Sequence, residues 1–176
     1  RVSAEQSHRL TRRTTECPAG AKENGTKWRS TSARSAAVVT VTGSGAQDRD
    51  ENIGLPGYLP FRQIADALGR LQIAVLRMDD RGTGASGGTF KGSTSADFAE
   101  DVRAGLAYLR TRPEIRADRL GVVGHSEGAL IAPMVADKEP TLRAIVLLAG
   151  IAQPGRTPLH FQLKNQNEHN DKLTPQ

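Results

Sequence analysis

The sequence predicts an α/β fold: a mostly parallel sheet with helices on both faces. Three observations predict it. Between residues 35 and 150, short β-branched apolar runs alternate four times with stretches of helical periodicity, the pattern of successive β-α-β units. The runs are apolar at consecutive positions rather than at every second one, as in strands covered on both faces. Hydrophobic residues make up 37% of the 176 residues and aromatics only 4%, so the core is expected to consist of Val, Ile, Leu and Ala. A chain of this length supports one domain with a real core.

The elements follow in order. Residues 1–34 are polar and rich in Ser, Thr, Arg and Lys, and are expected to form an irregular leader. SAAVVTVTG, starting at Ser35, is a buried strand ended by Gly43. The stretch from GSG to Leu59 is long for a loop, which marks it as a functional one. Pro60 opens PFRQIADALGRL, where Ile64, Ala65, Leu68 and Leu71 share a helical face. LQIAVLRM reads as the second strand, followed by the glycine-rich DDRGTGASGGTFKGST. Ser95 is placed to cap SADFAEDVRAGLAYLRTR, with Phe98, Val102, Leu106 and Leu109 inward and Pro113 as the stop. DRLGVVG is the third strand and SEGALIAPMVADK the next helix, where Pro133 is expected to kink or end the helix. LRAIVLLAG is the fourth strand. Residues 151–176 turn polar again, with one short helix expected around His160–Asn167.

Composition excludes several functions. The net charge of +5 belongs entirely to residues 1–34, which hold eight Lys+Arg against three Asp+Glu; the remainder is neutral. With no basic stripe interleaved with aromatics, no nucleic-acid partner is expected. No apolar run approaches the roughly 18 to 20 residues of a membrane span, and the N-terminus has no apolar signal-peptide core. A soluble, cytoplasmic chain without a membrane partner is therefore favoured. The single cysteine, Cys17, allows neither an internal disulfide nor a thiolate metal site.

The chemistry centres on GHSEG, Gly124–Gly128, which falls between a predicted strand and a predicted helix. Glycines two residues either side of Ser126 permit a strand-to-helix turn too tight for side chains, leaving the hydroxyl exposed at the carboxyl edge of the sheet. Ser126 is the predicted nucleophile, and Gly124 and Gly128 are the glycines of its elbow. The Glu127 N–H follows the nucleophile and is placed to donate to an oxyanion. The second donor is expected from Ser44 or Gly45, in the turn after the first strand. His125 is expected to pack or hydrogen-bond beside the turn rather than act as base, because sequence neighbours on a turn point apart. GTGASG at Gly82–Gly87 matches a dinucleotide-binding pattern, a remote alternative. The pattern needs a helix to begin on its glycines, and here two carboxylates precede them. The reading instead is a turn organised by Asp80 and Arg81. QDRDE at Gln47–Glu51 is expected to be a charge-paired loop, through Arg49, shaping the oxyanion side. No cofactor and no metal are expected.

Taken together, VVTVTGSGAQDRDE, FRQIADALGRLQIAVLRMDDRGTGASGG, ADFAEDVRAGLAYLRTRPEIRADRLGVVGHSEGALIAPMVA and LRAIVLLAG resemble the α/β-hydrolase superfamily, specifically its bacterial esterases and serine-aminopeptidase-like hydrolases. The resemblance covers about residues 37–150 and corresponds to the third to sixth family strands, so an incomplete core of four strands is implied. It implies a small-molecule ester substrate, with amides second, and an acyl-enzyme on Ser126. Residues 151–176 correspond to a polar tail or the start of a cap. The family's acid and histidine follow later strands, so neither is expected here. His160 and His169 are weak candidates for the base, and Asp137 and Asp171 are poorly placed as the acid. The alternative is a catalytically silent hydrolase-like fragment or interaction domain. Uncovered sheet edges predict marginal stability and self-association.

Overall fold

The computed structural model describes residues 34–150 together with Lys164. Expectations for the leader, the polar tail, Cys17, His160, His169 and Asp171 lie outside the described residues.

Seven elements alternate along the chain: β1 (Ser35–Val41), α1 (Pro60–Arg70), β2 (Ala74–Leu76), α2 (Ser95–Thr111), β3 (Ile115–His125), α3 (Gly128–Lys138) and β4 (Ala144–Leu148). The four strands form one parallel sheet in the order β2-β1-β3-β4. From β1 the chain moves outward to β2, then crosses back over β1 to β3 and on to β4. The reversal places a topological switch point between β1 and β3, where open α/β sheets form their clefts. This arrangement is the parallel α/β core that the sequence predicts.

Helices α2 and α3 pack against each other and against the β1–β3 centre of the sheet. Leu106 and Leu109 of α2, Ile131 and Val135 of α3, and Val39, Leu76, Leu120 and Val122 of the strands meet in one buried cluster. Each such side chain removed from water stabilises the fold by about 1.5–3 kcal/mol. Phe61, fully buried, anchors α1.

Several local expectations are corrected. The cap of α2 is Thr94, not Ser95. Asp97 Oδ2 accepts from both the Thr94 N–H at 2.8 Å and its hydroxyl at 2.7 Å, and Ser95 is already helical. Helix α3 runs on through Pro133 to Lys138. Pro133 is exposed, so its ring meets solvent instead of the sheet. Strand β2 is only three residues, because Gln72 turns the chain at φ 60° and the segment after Leu76 leaves the ladder. Among the described residues β4 is an edge strand, and Ile145, Val146 and Leu147 stay exposed on it. No helix among the described residues is long and apolar enough to cross a membrane.

Candidate active site

The end of β3 turns into α3 through Ser126 alone. Ser126 has φ 52°, while Glu127 is already right-handed helical at φ −59° and ψ −37°. A left-handed backbone at a non-glycine residue costs of order 1–3 kcal/mol and persists only where its surroundings over-determine it. Here they do. The Ser126 N–H donates to the Leu148 carbonyl at 2.9 Å, and the Ser126 carbonyl accepts from Ala129 N–H at 3.1 Å. The flanking glycines are a steric necessity. A Cβ on Gly124 would lie 2.0 Å from the Gly128 carbonyl oxygen, and one on Gly128 would lie 2.2 Å from that of Val41. The turn therefore closes only when both positions lack side chains. The Ser126 hydroxyl has no hydrogen-bond partner among the described residues.

Opposite Ser126 stands the end of β1. Gly43 abuts it: a Cβ there would be 3.3 Å from Ser126 Cβ and 3.1 Å from Glu51 Oε1. The Gly43 N–H donates to Glu51 Oε1 at 2.7 Å, so it is already engaged. Ser44 and Gly45 follow on the exposed turn, and their N–H groups, like that of Glu127, make no hydrogen bond among the described residues. The Glu127 carboxylate turns away and accepts from the Ser95 hydroxyl at 2.7 Å, tying the start of α2 to the elbow. Beside the turn lies a cleft lined by Gly43, Gly45, Asp80, Phe90, Phe98 and Glu127.

The long loop after β1 is held by the exit of β2. Asp79 takes Arg49 through two side-chain bonds, at 2.9 and 2.5 Å, and also accepts the Arg49 N–H at 2.9 Å. Those bonds hold the Asp79 carboxyl down at about 2. Asp80 accepts from the Thr42 hydroxyl at 3.0 Å and the Gln47 N–H at 2.9 Å. Burial dominates and pushes Asp80 up to about 6, helped by the nearby Asp101 and Glu127 charges. Asp50 pairs with the buried Arg77. The cation of QDRDE thus pairs outside the run with Asp79, and residues 47–50 of the loop are tied to the exit of β2.

The glycine-rich loop is centred on Asp79. Its hub is the Asp79 side chain rather than that of Asp80 or Arg81, while the Asp80 carbonyl accepts the Thr83 N–H at 2.9 Å. Gly84 packs so closely that a Cβ would meet Asp79 Oδ2 at 2.6 Å, the Ala85 N–H donates to that oxygen, and the Ser86 hydroxyl donates to the Asp79 carbonyl. Arg81 reaches instead to Asp101 on α2, with two bonds of 2.8 Å. A carboxylate sits where a dinucleotide site would place its pyrophosphate, and the following helix start is filled by Asp97.

His125 donates no bond to Ser126. Its Nδ1 lies 2.7 Å from Glu51 Oε1, and among the described residues it is the only histidine. Asp137 is exposed at the far end of α3. Sequence reasoning missed the Glu51–His125 contact and the Asp79 hub. The available signal was the unexplained cluster of carboxylates in QDRDE and DDR.

Comparison with known proteins gives the following. A family model described as serine aminopeptidase, S33, matches residues 57–170. Esterase EstD of Thermotoga maritima is 33% identical over 128 residues, 73% of this chain but 30% of the esterase. The esterase Pf2001 of Pyrococcus furiosus is similar in structure with a TM-score of 0.51 and 27% identity, over 64% of this chain and 41% of that one. The α/β hydrolase GrgF of Penicillium gives a TM-score of 0.59 at 19% identity, covering 82% and 49% of the two chains, a likeness of fold. The chain therefore spans less than half the length of each of these three relatives.

Proposed function

The chain belongs to the serine aminopeptidase S33 family of α/β-hydrolases, and from that membership we propose that it carries the nucleophilic core of a serine hydrolase acting on carboxylic esters. The observation that carries the proposal is the left-handed Ser126 between two glycines whose Cβ atoms would strike backbone. Strain of this kind concentrates at functional sites. The similarity to esterases favours oxygen esters over amides.

In the proposed reaction Ser126 Oγ adds to the ester carbonyl carbon and gives its proton to a base. The carbonyl oxygen becomes an oxyanion between the Glu127 N–H and that of Ser44 or Gly45. Donors fixed in advance at that position each lower the barrier by about 2.7–4 kcal/mol. Collapse expels the alcohol, which takes up the proton, and leaves the acyl group on Ser126. Water then adds to the acyl carbon, and the carboxylic acid departs as Ser126 recovers its hydrogen. The base is not assigned to a described residue; His160 and His169 are the remaining candidates in this sequence.

One observation favours a second reading, a hydrolase-like domain without turnover: among the described residues no base reaches the Ser126 hydroxyl. A fluorophosphonate probe separates the two. Labelling of the wild-type chain and not of Ser126→Ala supports the nucleophile; a folded chain that takes no label supports the silent domain.

A further inference from the structure

We propose that Glu51 is a positioning residue that locks the oxyanion turn onto the nucleophile elbow, through simultaneous hydrogen bonds to Gly43 and His125. The proposal rests on the reading of Ser126 as the nucleophile, because it concerns how the groups around that serine are held.

Glu51 is 4% exposed and is one of the few charged residues buried in the described structure. A buried carboxylate is costly unless hydrogen-bonded. Both of its partners lie at the site. One oxygen, Oε1, accepts the Gly43 N–H and the His125 Nδ1, each at 2.7 Å. With a carboxylate as acceptor, the imidazole proton in this contact resides on Nδ1.

The backbone is also set up for this contact. Glu51 has φ 56°, the left-handed region that a glutamate adopts at a cost. Asp48 Oδ1 accepts the N–H groups on either side, Asp50 at 2.9 Å and Asn52 at 3.1 Å, while the Glu51 N–H itself bonds to the Asp48 carbonyl at 3.0 Å. Asp50 is anchored to Arg77, and its carbonyl accepts the Phe61 N–H. A strained residue is thus fixed from both sides, and its carboxylate enters the gap between β1 and β3.

The consequence concerns one peptide group and one side chain, each next to a proposed site residue. Gly43 immediately precedes Ser44, so the bond to Glu51 orients the chain just before the proposed donor. His125 immediately precedes Ser126, so the second bond fixes the end of β3 just before the nucleophile. One oxygen atom sets both, and the separation of the oxyanion donors then depends on Glu51 rather than on either strand alone. Misplacement of a catalytic group by about 1 Å costs on the order of 10²-fold in rate.

The test compares the full chain with Glu51→Ala and Glu51→Gln. Glutamine offers an uncharged oxygen at the same place, able to accept both bonds. We expect fluorophosphonate labelling of Ser126 to slow by about 10²-fold in Glu51→Ala, and Glu51→Gln to recover most of that loss. Amide exchange of Gly43 and the imidazole nitrogen shifts of His125, read by NMR on the same three proteins, report the clamp without any reaction. The Gly43 amide should exchange slowly, with His125 protonated at Nδ1, in the wild type and Glu51→Gln, and both signatures should be lost in Glu51→Ala. A wild type that is labelled, with Glu51→Ala labelled equally fast, overturns the proposal. So does an unprotected Gly43 amide in the wild type. If the wild type takes no label while the NMR signatures follow this pattern, the nucleophile reading fails and the clamp stands.

Discussion

Replacing Gly128 by alanine should damage both the fold and the site, and the structure sets the size of the damage. Gly128 opens α3 and faces the end of β1. An added Cβ would lie 2.2 Å from the Val41 carbonyl oxygen and 2.7 Å from that of Thr42, whereas real Cβ atoms essentially never come within 3.0 Å. The atoms it would strike are all backbone at the end of β1, so no side chain can swing away, and the helix start must withdraw from β1 by about 0.8 Å. Overpacking of this type costs about 1–3 kcal/mol. The displacement also falls on the interval between Glu127 and Ser44, so labelling of Ser126 should slow by on the order of 10²-fold. Gly69 supplies the control. It is helical and exposed, and its Cβ would meet nothing within 4 Å. Gly69→Ala should therefore stabilise the chain by about 0.5–1 kcal/mol through lost freedom of the unfolded chain. Urea unfolding followed by circular dichroism should move the two midpoints in opposite directions at unchanged slope. A Gly128→Ala midpoint at or above that of wild type refutes the steric reasoning.

Two further predictions follow from adjacent groups and an exposed edge. Asp80, raised to about 6 from an ordinary 3.8, binds its proton more tightly folded than unfolded, so its contribution to stability falls as pH rises from about 4 through 6. Asp79, lowered to about 2, acts in the other direction: its stabilisation is present above pH 4 and is lost as pH falls toward 2. Urea midpoints at pH 7 and pH 5 should therefore differ less in Asp80→Asn than in the wild type; an identical difference counts against the buried carboxyl. Ile145, Val146 and Leu147 expose apolar surface along β4, so the chain should associate with rising concentration, and Val146→Lys should reduce that association in sedimentation velocity. A wild-type chain that sediments as a monomer throughout the concentration series rejects that expectation.

The sheet was legible because its strands are written locally. SAAVVTV and LGVVG are apolar at consecutive positions, and the helices between them repeat every three to four residues. The strand after α1 is shorter than its apolar run predicts, since Gln72 and the charged exit of β2 are shaped by contacts rather than by propensity. The turn at Ser126 was legible for the same local reason: its glycines stand at fixed spacing between a strand and a helix. What surrounds the serine was not. Glu51 and His125 are 74 residues apart, and nothing in either neighbourhood indicates that they meet. DDR shows the limit most clearly. Three adjacent charged residues leave β2 toward Arg49, toward Thr42 with Gln47, and toward Asp101. Which one the glycines wrap is decided by packing, and no local pattern in DDR distinguishes Asp79 from Asp80.

The order β2-β1-β3-β4 also governs when the site can exist during folding. Val41 pairs with Gly124 across the centre of the sheet, and everything from α1 to the end of α2 lies in the chain between them. Closing a loop of about eighty residues is an entropic cost met before any contact between those strands is gained. A partly folded form that has joined only β1, α1 and β2 already contains Ser44, Asp79 and Glu51, yet has no serine opposite them. Binding of an active-site probe would therefore report completion of the central long-range pairing, and would lag behind the growth of helical signal in a refolding experiment.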